Sequence, residues 1–320
     1  MDYYVGIDLG GTELKIGIID QSGSILIKDS FKVPEAAQGS QIVKFMGDCT
    51  QQLMDKSQFP KQSFKGIGIG APGLLNPETG QLLNVVNIPQ LNSIYLAPDL
   101  GQRFGIPTWL DNDVNAMALG EMFYGAGKGY KDCIALTLGT GVGGGLIFDG
   151  KLYRGACFTA GEIGHLSINS DGLLCPCGNY GCIERYIGRD GIISRFKYYL
   201  SKEIPSTIHQ FTEDNQITPK AIAKAAEAGD ALSREVLAET GKYLGIALVT
   251  LTNVLNPEVF IIGGGIANAG DLILEPARHE LQKRAYTIPA KKVKVVQAAL
   301  RNDAGIVGSA SIAVDMLKNR

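Results

Sequence analysis

The chain has no basic cluster and no long apolar run. Its 30 Lys and Arg against 32 Asp and Glu give a formal net charge of -2, so the electrostatic footprint of a nucleic-acid binder or an anionic-membrane binder is missing. No window reaches the length of a membrane span. The start, Met1-Asp2-Tyr3-Tyr4-Val5-Gly6-Ile7-Asp8, carries no basic stretch followed by an apolar one. Neither membrane nor nucleic acid is therefore expected as a partner, and the cytoplasm is the default location. Proline is sparse, at 13 residues against 41 glycines, and nowhere do Pro, Ser or charge collect into a linker. Disorder is excluded, and many tight turns within ordered structure are implied. No glycine turn is followed by Gly-Lys-Ser/Thr, which excludes a P-loop.

Cysteine and histidine are few, at six and three. Cys49, Cys133 and Cys157 are scattered in largely apolar neighbourhoods and read as small buried hydrophobes. His209 and His279 lie in polar surroundings and read as surface residues. The remaining four behave differently. Gly161-Glu162-Ile163-Gly164-His165 precedes Cys175-Pro176-Cys177-Gly178-Asn179-Tyr180-Gly181-Cys182-Ile183-Glu184. One nitrogen and three sulfurs meet the tetrahedral preference of Zn²⁺, and four protein ligands leave no open position for a catalytic water, so the zinc on His165, Cys175, Cys177 and Cys182 is structural. The competing reading is a set of free thiols, and disulfides are disfavoured by the compartment. Such a metal ties down a loop carrying Glu162, His165 and Glu184, three polar side chains placed to converge on sugar hydroxyls. One imidazole nitrogen of His165 can ligate while the other contacts a hydroxyl.

At 320 residues with 45% hydrophobic content, the chain exceeds one compact core and points to two α/β lobes. Apolar runs to Asp8, then alternating Leu14, Ile16 and Ile18, then Ile25 and Ile27 predict three opening strands. A helix follows over Ile42 to Leu53, then a buried strand over Gly66 to Gly70. A second copy of the opening starts at Cys133. Thr137, Gly139, Gly141 and Asp149 stand at one constant offset from Asp8, Gly10, Thr12 and Asp20, which suggests structural duplication. Beyond Gly188 the pattern turns helical, through Ile217 to Ala228 and Asp230 to Leu255. A strand at Val259 to Ile262 then ends in Gly263-Gly264-Gly265, and a closing helix begins near Asn302. The expected lobes are 1–118, with a helix at 303–320 packing back on it, and 119–302.

Asp8-Leu9-Gly10-Gly11-Thr12 places two glycines and a hydroxyl at a strand-to-strand turn, where backbone N–H groups can approach an anion closely. An ordinary glycine hairpin is the competing reading for one copy. The second copy, from Thr137 through Gly139, Thr140 and Gly141, favours a pair of turns clamping the β- and γ-phosphates of one nucleotide. An ionised Asp8 beside phosphate requires an intervening cation, which implies Mg²⁺. Gly263, Gly264 and Gly265 suit an adenine and ribose lying on the backbone, or else a plain strand-to-helix turn.

Asp113 falls where a strand, Thr108 to Asp111, runs into a helix. Capping is the competing reading. The two are compatible, because a helix start keeps a carboxylate ionised and able to accept the proton of an attacking hydroxyl, with Asn112 holding a neighbouring one.

These motifs, in this order, resemble the ROK group (repressors, open reading frames, kinases) over essentially the whole chain, and within it the bacterial glucokinase-like members. The resemblance implies an actin-like ATPase (ribonuclease H-like) two-lobe fold, phosphorylation of a hexose by ATP with glucose as first candidate, and Asp113 as base. It also implies zinc on the four residues above and sugar contacts from Gly73, Asn112, Asp113, Glu162, His165 and Glu184. The usual assembly is a homodimer. Glu13 departs from the pattern, since many members carry Lys there, and its side chain is expected to face solvent. Family repressors carry a DNA-binding segment ahead of the first glycine turn, and the position of Asp8 leads to the expectation of the kinase branch. Other sugars remain alternatives: fructose, mannose, N-acetylmannosamine or N-acetylglucosamine, with Asn84 and Asn87 as further contacts. So does a non-catalytic sugar sensor.

Overall fold

The computed structural model describes residues 1–34, 37–85 and 88–318. Contacts group them into two units, Met1–Gly129 with Gly145–Ala160 and Ala299–Arg320, and Tyr130–Gly144 with Gly161–Ala298.

The first unit is built on an antiparallel meander of β1 (Tyr3–Leu9), β2 (Glu13–Asp20) and β3 (Ile25–Lys32). After α1 (Gly39–Ser57) the chain returns as β4 (Phe64–Ala71), parallel to β1. A short hairpin, β5 (Leu74–Asn76) and β6 (Gln81–Asn84), and α2 (Leu96–Phe104) lead to β7 (Thr108–Asn112), parallel to β4. The sheet order is β3-β2-β1-β4-β7. Alternation decides what each face covers. Val5, Ile7, Ile16, Ile18, Ile67 and Ile69 enter one core with Ile42, Met46 and Leu53 of α1 and Leu100 and Phe104 of α2.

The opposite face carries glycine on the central strands, and this explains the Gly66 to Gly70 pattern. The last described helix, numbered α10 below and spanning Ala304–Lys318, lies on that face. A Cβ on Gly6 would come 2.0 Å from the carbonyl oxygen of Ile306, and one on Gly68 1.8 Å from that of Ser309. The helix backbone therefore rests on the sheet backbone. Gly70 N–H donates to Ser309 Oγ at 3.1 Å. Beside it runs α3 (Asp113–Tyr124), whose Gly120 meets Gly308. The buried Glu121 carboxylate accepts backbone N–H bonds from Ala126, Ala299 and Leu300.

The second sheet repeats the first in the order β10-β9-β8-β11-β12. Its strands are β8 (Cys133–Leu138), β9 (Val142–Phe148), β10 (Lys151–Tyr153), β11 (Val259–Gly263) and β12 (Lys294–Gln297). The strand β11 is parallel to both β8 and β12, as β4 is to β1 and β7. β9 begins in the second unit beside β8 and continues into the first beside β10. The helices of the second unit are α4 (Glu184–Ile187), α5 (Arg189–Ser201), α6 (Pro219–Glu227), α7 (Ala231–Leu255), α8 (Asp271–Arg284) and α9 (Thr287–Lys292). Asp230 caps α7, its Oδ1 accepting from Ser233 N–H at 2.7 Å.

Burial pushes the Cys49 thiol up to about 11 and the Cys133 thiol up to about 12, so both stay protonated as expected of buried hydrophobes. Cys157 corrects that reading, because it is exposed. It sits in a loop where Gly155 and Phe158 take φ of 72° and 60°, and that backbone carries the thiol outward despite apolar neighbours in sequence. His209 and His279 are exposed. Among the described residues no helix is long and apolar enough to cross a membrane.

Candidate active site

In the first unit, the parallel strands bring the carboxyl ends of β1, β4 and β7 to one edge. Asp8 stands beside Gly70, and Gly70 beside Asp111. Sites in open α/β sheets gather at such edges. The strand β7 ends at Asn112, whose backbone is extended and whose Oδ1 accepts from Val114 N–H at 2.9 Å. Asn112 is thus the cap, and Asp113 is the first helical residue, its Oδ1 also 2.9 Å from Val114 N–H. Two carboxylates at one edge repel. Burial first, and then the Asp113 charge, push the Asp8 carboxyl up to about 6, with Lys15 opposing and Glu13 adding to the rise. The Asp8 carboxylate packs against Gly305 in the first turn of α10.

The first glycine turn closes through Gly10 N–H to the Glu13 carbonyl at 2.9 Å, leaving Gly11 and Thr12 exposed. Glu13 is half-exposed and lies 3.4 Å from Lys15 Nζ, so it does face solvent, with a cation beside it. Gly73 is exposed, with φ of 91°, against the backbone of Asn84. Asn84 is also exposed, and Asn87 lies outside the described residues.

In the second unit, Thr137 pairs with Gly263, which places the second and third glycine clusters at the carboxyl ends of β8 and β11. Gly139 N–H donates to the Gly141 carbonyl at 2.9 Å, and the Gly139 carbonyl accepts from Arg189 N–H at 3.0 Å at the start of α5. Gly264, with φ of 87°, packs on Leu138. Between the clusters opens a cavity of about 550 Å³ that Gly139, Thr140 and Gly265 border, a size suited to a nucleotide base and sugar. Its apolar wall is Pro219, Ala223, Leu237, Ile266 and Ala269, and its polar groups include Arg189, Lys220, Lys224 and Asn268. Sequence reasoning missed these. The readable signal was Pro219 opening a helix with lysines four residues apart, which share one helix face.

The cysteine segment folds into a knuckle. Its turn is closed by Gly178 N–H to the Cys175 carbonyl at 2.9 Å and Cys175 N–H to the Asn179 carbonyl at 2.8 Å. One ligand atom each from His165, Cys175, Cys177 and Cys182 all lie within 4.8 Å of one another. Cys177 Sγ and Cys182 Sγ are 3.7 Å apart, as are His165 Nδ1 and Cys175 Sγ. Zinc–sulfur bonds of about 2.3 Å at tetrahedral angles set sulfurs about 3.7–3.8 Å apart, so this donor set fits the ion. His165 Nε2 points the other way, 3.9 Å from Glu162 Oε2. Glu184 begins α4 two residues after Cys182, and its Oε2 accepts from Val142 N–H at 2.9 Å. A Cβ on Gly141 would come 2.4 Å from that oxygen. The knuckle and the second glycine turn are therefore linked through one carboxylate.

Comparison with known proteins agrees with this geometry. The ROK family model matches residues 4–316. A glucokinase of Halalkalibacterium halodurans is 36% identical over 312 residues, covering 96% of this chain and 93% of that protein. A xylose repressor of Caldicellulosiruptor bescii is 31% identical over 314 residues, covering 98% of this chain and 78% of that protein. A ROK family glucokinase from Streptomyces griseus, solved in complex with glucose and AMPPNP, matches with a TM-score of 0.81 at 32% identity, over 98% of this chain and 99% of that one. The fold is thus the actin-like ATPase fold of these kinases, as the family resemblance implied. The chain belongs to the ROK family.

Proposed function

We propose that this protein transfers the γ-phosphoryl group of ATP to a hydroxyl of a hexose, with glucose the first candidate, releasing ADP and the sugar phosphate. The sugar hydroxyl attacks the γ-phosphorus while the bond to the ADP oxygen breaks, and Asp113 accepts the hydroxyl proton. Asn112, Gly73, Glu162, His165 and Glu184 are assigned to hold the remaining hydroxyls. The two glycine turns hold the phosphates, and the cavity beside Gly265 takes the adenosine. Asp8 is the residue assigned to Mg²⁺, which when bound offsets the phosphate charge. His165, Cys175, Cys177 and Cys182 are assigned to a structural Zn²⁺ that orders the loop. A homodimer is the proposed assembly.

The observation that carries this reading is the placement of Asp113. It opens a helix at the sheet edge, with the capping work done by Asn112 and a half-buried second carboxylate, Asp8, beside the first glycine turn. A second reading, a sugar-responsive regulator without turnover, is favoured by the xylose repressor relative. ADP release with Mg·ATP, compared across glucose, fructose, mannose, N-acetylglucosamine, N-acetylmannosamine and no sugar, separates the two. The highest kcat/KM is expected with glucose. A different winning sugar renames the substrate, and no stimulation by any sugar in zinc-replete protein favours the regulator.

A further inference from the structure

We propose that Arg154 is a positioning residue for this phosphoryl transfer, acting through the buried Asp111 carboxylate to fix the strand-to-helix junction that presents Asn112 and Asp113. The inference rests on the reading of Asp113 as base.

Asp111 is 1% exposed. A carboxylate withdrawn from water is unfavourable unless charge and hydrogen bonds replace the solvent. Both oxygens are supplied here. Arg154 Nε donates to Oδ2 at 2.7 Å, while Asn112 N–H and Asn115 Nδ2 donate to Oδ1 at 2.7 and 2.9 Å. These donors come from the end of β7, from α3 and from the segment following β10, so one carboxylate ties three stretches of chain around Asp113. The Asn112 side chain completes the frame by capping Val114 N–H, and the backbone is pinned on both sides of the base.

Stability alone does not account for this arrangement. A buried ion pair is often no better for stability than apolar residues of similar volume. Asn115 adds a further cost, because its Oδ1 is buried without a hydrogen-bond partner while its Nδ2 serves Asp111. Arg154 is itself set from a closed loop. Its carbonyl accepts from Ala160 N–H at 3.0 Å, across a turn in which Gly155 takes φ of 72°. The guanidinium is thus offered from a fixed base, and the same loop leads directly into Gly161-Glu162 in sequence.

The test is steady-state kinetics of Arg154→Gln and Arg154→Lys in the full chain with Mg·ATP and the best sugar. Folding is followed by thermal melting and by the emission of Trp109, the one tryptophan, which lies on β7 and is 9% exposed. Arg154→Gln is expected to keep native emission, lose about 10- to 100-fold in kcat per folded molecule, and hold KM for ATP within about twofold, as expected when transition-state alignment alone is lost. Arg154→Lys, which keeps the charge without the fork, is expected to recover several-fold of that loss. Folded Arg154→Gln with kcat within about twofold of wild type overturns the proposal, as does a loss that only tracks the unfolded fraction. If Arg154→Gln does not fold, the charge-balanced Asp111→Asn, Arg154→Gln double variant is judged by the same criteria. Wild type without sugar-stimulated turnover sinks the kinase reading, whereas an active wild type with indifferent Arg154 variants sinks this inference alone.

Discussion

Burial and the neighbouring Asp113 charge push the Asp8 carboxyl up to about 6, and the sign of the consequence follows from linkage. The folded protein holds a proton that the unfolded chain releases near 4, so stability falls as pH rises between those values and stays reduced above 6. Asp8→Asn is therefore expected to stabilise the ligand-free protein by about 1–3 kcal/mol at pH 8 and by almost nothing at pH 4. Urea midpoints at the two pH values measure this, and equal shifts at both would show that charge is not the cause. Retaining a carboxylate where an amide is more stable is the mark of a functional group. Asp113 is placed for a different task. Asp113→Asn is expected to lower kcat by about 10²–10⁴-fold while sugar affinity measured by calorimetry changes little. A kcat within tenfold of wild type would remove it as the base.

Short elements join the pieces of the site, and they were the hardest to read in advance. The knuckle reaches the second glycine turn through Cys182, Ile183 and Glu184, the last bound to Val142 N–H. Loss of the proposed zinc is expected to release this carboxylate. Cys177→Ser is expected to lower zinc content, measured by elemental analysis, and to weaken sugar and ATP binding by about 10–100-fold, as losses of supporting contacts at metal sites do. Unchanged binding in zinc-free protein would confine the knuckle to folding. Strong periodicity made β1, β2, β4, α1 and α7 legible, because alternating Ile and Gly or a long apolar stripe leaves few alternatives. The edge strand β12 has only four residues, and α8 carries Pro276 in its interior, so neither presented a usable pattern. The cysteine knuckle was legible from spacing alone. The cavity beside Gly265 was not, since its walls come from the turn after β8, from α5, α6 and α7 and from the turn after β11, which meet only in the fold.

At the scale of the whole molecule, repetition was the most readable property. A constant spacing of Asp, Gly and Thr anticipated a structural duplication, and the two sheets do share one strand order. What spacing did not reveal is why the first sheet carries glycine along one face. The answer is the backbone-to-backbone seat of α10 on Gly6 and Gly68. Gly68→Ala is expected to cost about 3 kcal/mol by overpacking, read as a lowered denaturation midpoint, and a shift below about 0.5 kcal/mol would refute the close contact. That seat also dictates an order of events during synthesis. Gly70 and Ser309 are hydrogen-bonded across 239 positions, so the ribosome completes β4 long before the helix that covers it exists. Until then that strip of glycine backbone lacks its cover, and the first unit closes only after the second has been translated.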